Sequence, residues 1–337
     1  MNVLLLGGNG LLGHNVLKML LHHGHGVNAL VRRREALHTE GMPAVERLTV
    51  LEGSLLDDDV LTVAAEGCEA IVNCAGVTDM SLLRYDDYLP VNCDLCRRLT
   101  QLMEWQRISR LVHTGTANTI GYGLPAALAD EEAPMQSPFT RSFYAQSKKE
   151  GEELLLRYAA EHPERHVVVV CPGFMVGAYD TKPSSGVLLL AGYRRRLMLV
   201  PSGGKSFVAV ADVAEAVVNA LTIGRSGRRY LLTGENLSLK EFYRLQAQVC
   251  GYRQRQMTLP DGLLRLAGWL GDGLRWCGLR TQLSTRNVQQ LMVQEHYDNQ
   301  RSREELSLPS TPLAQAIEDF FLWRESQPCK ANTWRIF

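Results

Sequence analysis

Val3-Leu4-Leu5-Leu6-Gly7-Gly8-Asn9-Gly10-Leu11-Leu12-Gly13 opens the chain and decides how the rest is read. The apolar run over 2–6 carries no polar alternation, so it reads as a strand buried on both faces. After the glycines, Leu12, Val16, Leu17, Leu20 and Leu21 recur at helical spacing, and Gly24 stops the helix. Glycines placed between such a strand and helix have separate tasks. Gly7 permits the tight turn, Gly10 lets backbone approach a pyrophosphate, and Gly13 lets helix pack on strand. The helix N-terminus adds free N–H groups and the positive end of a dipole. A second strand follows at 26–31. Gly7, Asn9, Gly10, Leu11, Leu12 and Gly13 therefore read as a dinucleotide cradle.

The end of the second strand bears on which dinucleotide. NAD-binding folds place Asp or Glu there for the ribose 2′-hydroxyl. Here Val31 is followed by Arg32, Arg33 and Arg34, with no carboxylate before Glu35. A 2′-phosphate suits guanidinium groups. NADP is favoured over NAD, with Arg32 as first contact and Arg33 beside it. The alternative for the three arginines is a solvated helix start.

The 337 residues carry no formal net charge. That length permits one large domain or two smaller ones. Neutrality gives no electrostatic case for nucleic acid or an anionic membrane, and no apolar stretch of ~18 residues predicts a span. The first strand starts at residue 2, which leaves no room for a signal peptide. Cysteines at 68, 74, 93, 96, 171, 250, 277 and 329 do not cluster with histidines at metal-ligand spacing. Cys93 and Cys96 form a CxxC without a second pair. Reduced thiols, a cytoplasmic location and no metal are expected. His22, His23 and His25 read as a helix end beside its negative dipole.

Strands are predicted at 2–6, 26–31, 47–52, 69–73, 109–114 and 166–171, with helices near 57–65, 88–106 and 141–161. This alternation predicts an α/β fold, a doubly wound parallel sheet of the Rossmann type with ligands at the loop edge. Past residue 172 glycine, proline and serine become common. Leu197–Val210 reads as a hairpin turning at Ser202-Gly203-Gly204-Lys205. A helix at 212–223 and a strand at Tyr230-Leu231-Leu232 follow. The remainder to 323 reads as mainly helical, with Ser238 and Thr311 as N-caps and Pro260 and Pro312 in first turns. The predicted organisation is a dinucleotide-binding domain at 1–172, with 205–232 returning to it. Residues 173–204 and 233–327 form a smaller substrate-binding part, too broken for a layered core of its own, and 328–337 a fraying tail.

Tyr144-Ala145-Gln146-Ser147-Lys148 carries the chemistry. Tyr144 and Lys148 share a helix face, one turn apart. A free tyrosine titrates near 10, and a neighbouring ammonium favours the phenolate. The phenol then exchanges a proton near neutral pH. Tyrosine and lysine at this spacing are common on helices, so the reading leans on the cradle upstream.

Together these residues resemble an extended short-chain dehydrogenase/reductase, in the group that includes NAD-dependent epimerases and dihydroflavonol-reductase-like enzymes. The resemblance covers nearly the whole chain. It rests on Gly7–Gly13, Asn73-Cys74-Ala75-Gly76, Val91-Asn92, His113-Thr114-Gly115-Thr116 and Tyr144/Lys148. It continues through Cys171-Pro172-Gly173-Phe174 and Phe207-Val208-Ala209-Val210-Ala211-Asp212-Val213-Ala214. It implies that Thr116 holds the substrate oxygen beside Tyr144, with Thr114 the competing hydroxyl and a cofactor contact. Asn92 matches a helix asparagine that supports a water relay to Lys148, which itself reaches the cofactor ribose. Ser54 and Leu55 stand at the adenine, although the family usually has Asp where Ser54 stands. Cys74, Ala75 and Gly76 run beneath the pyrophosphate and ribose. Pro172, Met175 and Ser184 border the nicotinamide and its phosphates. Thr78, Met80, Asn118 and Phe174 are candidate substrate contacts, and Phe174, Met175 and Tyr179 a pocket wall. Homodimers are common in the family, which makes a homodimer the implied assembly.

Three functions remain at this level. One is reduction of a ketone or aldehyde by NADPH with Tyr144 as proton donor. The second is nucleotide-sugar epimerisation with tightly held NAD(P). The third is a non-catalytic NADP-binding redox sensor, which keeping both Tyr144 and Lys148 disfavours. Sugar-nucleotide members usually carry an Arg-Asp pair where Lys205-Ser206 stand, and dehydrating members an acidic pair where Ala117-Asn118 stand. Met80, Leu82 and Leu83 lean apolar. A reductase of a modestly apolar carbonyl is favoured.

Overall fold

Seven parallel strands form the centre of the computed structural model, which describes residues 1–181 and 184–327. β1 (Asn2–Leu6), β2 (Gly26–Val31), β3 (Leu48–Glu52), β4 (Ala70–Asn73), β5 (Arg110–Thr114) and β6 (His166–Pro172) fall where the apolar runs predict them. The order across the sheet is β3-β2-β1-β4-β5-β6 and then β10 (Arg228–Leu232). Every pairing is parallel, from Leu6 beside Leu30 and Asn73 to Leu232 beside Pro172. Strand order reverses between β1 and β4, and a ligand crevice opens at such a switch point.

Helices cover both faces, which is why the central strands are apolar on both sides. α1 (Leu11–His22) and α6 (Val210–Ala220) close one face through Val16, Leu17, Leu20, Val213 and Val217. α2 (Asp58–Ala64), α3 (Leu95–Trp105) and α4 (Phe143–Glu161) close the other through Leu61, Leu99, Met103 and Leu155. α3 is preceded by a π-turn, Pro90–Asp94, that carries Asn92. Such wide turns gather at functional sites.

The C-terminal half departs from the sequence reading. Leu197–Val210 is not a hairpin. β8 (Leu197–Val200) instead pairs in parallel with β12 (Arg255–Thr258), far along the chain. β9 (Gly204–Ala209) joins β7 (Phe174–Val176) and β11 (Glu235–Ser238) in a separate three-stranded sheet. Gly203 and Gly204 donate to the carbonyls of Leu291 and Val293, at 3.0 Å each, instead of closing a turn. Of 205–232, then, α6 and β10 lie on the large sheet and β9 does not.

This half also has a core of its own. Phe207, Phe242, Tyr243, Ile317 and Phe320 pack with Leu189 between α5 (Gly186–Gly192), α7 (Leu239–Val249) and α11 (Leu313–Ser326). α8 (Asp261–Trp276), α9 (Thr285–Gln290) and α10 (Gln300–Glu305) complete it. Ser238 caps α7 in a reciprocal capping box with Glu241. Thr311 is not a cap. Pro312 holds that position, and the Thr311 N–H and hydroxyl both donate to Asp212, at 2.7 Å each. Pro260 likewise sits at the N-cap of α8 instead of inside its first turn. The tail predicted from Pro328 and the loop residues Lys182 and Pro183 lie outside the described residues.

Candidate active site

A cleft of about 530 Å3 runs along the loop edge over the β1/β4 switch point. Its floor shows why glycine stands three times. Gly7 has φ +80°, and a Cβ there would lie 2.6 Å from the Ala75 nitrogen. A Cβ on Gly13 would lie 2.1 Å from the Gly7 carbonyl oxygen. Above Gly10 only the Gly7 oxygen, at 3.5 Å, would be met, so its upper side is open to a ligand. Asn9, Leu11 and Leu12 line the same wall, and the first turn of α1 holds no acidic residue to compete with an anion.

Of the three arginines after β2, only Arg32 lines the cleft. Arg33 precedes a short 3-10 turn, and Arg34 donates to the Val50 carbonyl at 2.7 Å. Ser54 and Leu55 line the cleft nearby, and the Ser54 hydroxyl accepts the Leu56 N–H at 3.2 Å. Cys74, Ala75 and Gly76 form the middle of the floor. Asn73 accepts the Ala75 N–H at 3.0 Å and contacts His113 Nδ1 at 3.0 Å, which ties this loop to β5.

Ser142 caps α4 and sets its first turn against the cleft. Tyr144 and Lys148 both line the cleft, with Thr114 and Thr116 opposite. The Thr116 hydroxyl lies beside the Tyr144 phenol, whereas the Thr114 hydroxyl donates to Cys74 Sγ at 3.6 Å. Lys148 is buried and donates to the Thr114 carbonyl at 2.5 Å. Burial pushes the Tyr144 phenol up to about 12, the opposite of the expected lowering, and the neighbouring Thr116 hydroxyl only partly offsets it. Burial also pulls Lys148 below the ordinary lysine value. With its ammonium spent on a backbone carbonyl, Lys148 does not draw the phenol down.

The NAD dependent epimerase/dehydratase family model matches residues 3–232. The chain belongs to that family. It groups with the extended short-chain dehydrogenases/reductases, NAD(P)-dependent oxidoreductases and epimerases. Sterol demethylase protein B of Methylococcus capsulatus is 28% identical over 328 residues, covering 96% of this chain and 98% of that protein. A putative dihydroflavonol 4-reductase of Synechocystis is 27% identical over 326 residues, covering 94% and 92%. The crystal structure of gox2253 superposes with a TM-score of 0.79 at 23% identity, over 96% of this chain and 98% of that one, a likeness of fold.

Within this family fold the cleft gathers most of the residues singled out from the sequence. Thr78, Pro172, Met175 and Ser184 line it too. The Ser184 hydroxyl and N–H both donate to Asp180, so Ser184 is held in place from behind. Phe174 turns away, edge-on to Phe207 at 5.3 Å, and Tyr179 stacks on His14 at 4.1 Å. Of the expected aromatic wall, Met175 alone faces the cleft. Asn118 donates its N–H to Thr116 at 3.3 Å and does not line it. Asn92 lies beneath: its amide holds Val77 at 2.8 and 3.1 Å and Ser147 at 2.9 Å. It braces the floor loop against α4.

Three features were not read from the sequence. Glu152 is buried under Thr116, accepting its N–H at 3.3 Å and the Thr119 hydroxyl at 2.8 Å. Burial raises its carboxyl to about 7. Tyr144, Lys148 and Glu152 are spaced by one turn on one face of α4, which was its available signal. Val77, Val91, Gly115 and Gly173 also line the cleft, without a side-chain signature. Met80 lines a second, small cavity on the other side of Tyr144, with Leu82, Tyr88, Phe143 and Arg286. The Arg286 guanidinium lies 4.0 Å over the Phe143 ring.

Proposed function

We propose that the chain is an NADP(H)-dependent reductase of a ketone or aldehyde, with Tyr144 as proton donor. The observation that carries this is that Thr116, Tyr144 and Lys148 line the same cleft as the glycine cradle. The cleft suits the cofactor: a Cβ-free cradle, a helix N-terminus and Arg32, with no carboxylate among its described lining residues. Arg32 would meet a 2′-phosphate, and Lys148 would meet the ribose. The reduced cofactor, when bound, supplies hydride to the carbonyl carbon. Thr116 holds the carbonyl oxygen, and Tyr144 gives that oxygen its proton. A phenol kept protonated by burial suits this direction. Met80 and Leu82 supply an apolar flank for the substrate. Residues 173–204 and 233–327 are assigned to substrate binding.

Nucleotide-sugar epimerisation is the second reading, favoured by Arg286 beside Tyr144 as a cation for an anionic substrate group. Against it, Lys205 is spent on the buried Glu295 carboxylate and on the Gln290 carbonyl at 3.2 Å. NADPH oxidation with a panel of apolar ketones and aldehydes separates the two. Reduction of at least one carbonyl is expected, falling roughly 10²–10⁴-fold in Tyr144→Phe with NADPH binding retained. Conversion of UDP-glucose to UDP-galactose without net NADPH consumption would replace the reductase with an epimerase.

A further inference from the structure

α8 is apolar on both of its sides, yet only one side is covered. Leu264, Gly268 and Gly271 face the protein, and a Cβ on Gly268 would lie 2.5 Å from Val288 Cγ2. The opposite side carries Leu263, Leu266, Trp269, Leu270 and Leu274 at spacings of three, four and seven residues, about half the circumference away. These five are 56, 52, 70, 56 and 46% exposed, and Trp276 at the end of the helix is 90% exposed. A contiguous exposed apolar surface of this kind marks an interaction site. The apolar surface extends into the strands that precede it in space and sequence, since Leu197, Leu199 and Met257 of β8 and β12 are also exposed.

Charge says what covers this face. Segments 194–200 and 253–283 hold eight arginines against two aspartates and no glutamate or lysine, in a chain whose charges balance. Arg194, Arg195, Arg196, Arg253, Arg255, Arg265 and Arg280 are exposed. Overall neutrality thus conceals a strongly basic region. A second copy of the chain fits poorly, because a two-fold contact sets the same patch against itself and would oppose these arginines. Leucine and tryptophan flanked by arginine on a helix are what an interfacial, membrane-lying helix requires. At 16 residues α8 is about 24 Å long, and no described helix is long and apolar enough to cross a membrane.

We infer that α8, with the adjoining β8–β12 edge, docks on the surface of an anionic lipid bilayer. Arg275, on the inward side of α8, donates to the carbonyls of Ser81 and Leu82 at 3.1 and 2.5 Å. The docked helix therefore holds the loop that lines the small cavity beside Tyr144. A carbonyl substrate dissolved in the lipid would enter from this side. That last step rests on the proposed reductase function; the docking does not.

Co-sedimentation of the full-length protein with vesicles tests it. Vesicles of phosphatidylcholine with about one-third phosphatidylglycerol should bind at least tenfold more protein than phosphatidylcholine alone. The binding should fall as salt rises. Trp269→Ser/Leu270→Ser should lose binding at least tenfold while keeping its melting temperature and NADPH affinity, since both side chains are mostly exposed and lie outside the cleft. Failure of the natural protein to bind either vesicle, or equal binding to both, overturns the inference. So does a solution dimer that this double variant converts to monomer. None of these readouts uses turnover, so a failed docking and a failed reductase assignment are told apart.

Discussion

Buried polar groups are handled differently in the two halves of the molecule. In the sheet half they gather at the loop edge under the cleft. Asn73, His113, Thr116, Lys148 and Glu152 are all buried there, and several have partners that leave one atom or one proton unsettled. His113 Nε2 has no partner among the described residues, and Glu152 titrates near neutrality. In the C-terminal part Lys205 is paired with Glu295 and Asp180 with Ser184, Asp212 of α6 reaches across to Thr311, and Gln246 Oε1 and His296 Nε2 stay without a partner among the described residues. On the proposed function, polarity beside the cleft serves chemistry, whereas the Lys205–Glu295 pair serves architecture. Altering the first should change function and pH response, and altering the second should change stability.

The largest effect tests the architectural side. Lys205→Met leaves the Glu295 carboxylate buried and alone. Breaking a buried pair from one side costs about 3–5 kcal/mol, so the urea midpoint should fall steeply while the folded fraction still binds NADPH. Lys205→Met/Glu295→Leu should recover most of the loss. Recovery would show that the pair serves only the fold, and loss of substrate binding in that double variant would move Lys205 to the chemical side.

Glu152 tests the other side through pH. Burial raises its carboxyl from the ordinary 4.5 to about 7, so the folded protein keeps a proton that the unfolded chain has already released. Stability therefore falls as pH rises from about 4.5 to about 7 and levels off above it, by an amount of the order of 3 kcal/mol. Glu152→Gln keeps the acceptor for the Thr116 N–H and removes the proton. Its melting temperature should lose that slope and exceed the natural protein's above pH 7. An unchanged slope would show that Glu152 is not the titrating group.

The two halves also differ in how far they are legible from sequence. The cradle is readable because its constraint is backbone contact. No side chain fits at Gly7 or Gly13, so glycine at those positions reports the geometry directly. Tyr144 and Lys148 are readable because helical spacing puts them on one face. Glu152 obeys the same spacing, but one glutamate on a charged helix does not announce burial. In the C-terminal half β8 pairs with β12 and β9 with β11, across separations that no local pattern encodes. Ser202-Gly203-Gly204-Lys205 has turn composition, yet a Cβ on Gly203 would lie 2.5 and 2.6 Å from the Leu291 and Val293 carbonyl oxygens, and one on Gly204 2.7 Å from the Leu237 carbonyl oxygen. Thr311 has the chemistry of a cap, and Asp212 takes it instead.

The smallest effect concerns the cofactor end of the cleft, where the chemical side meets the surface. Arg32 is exposed and lines the cleft, whereas Arg34 is tied to β3 and Arg33 does not line the cleft. A charge-assisted hydrogen bond to phosphate contributes about 1.5–3 kcal/mol, which solvent at an exposed site screens toward the lower figure. Arg32→Ala should therefore weaken NADPH binding roughly tenfold, leave NADH binding within twofold, and not shift the urea midpoint. Arg33→Ala should do none of these. Titration of both cofactors against both variants checks it. Equal loss for NADPH and NADH would make Arg32 a contact to the shared pyrophosphate or adenine, and with no carboxylate among the described lining residues the basis of any NADP preference would then have to lie outside the β2 turn.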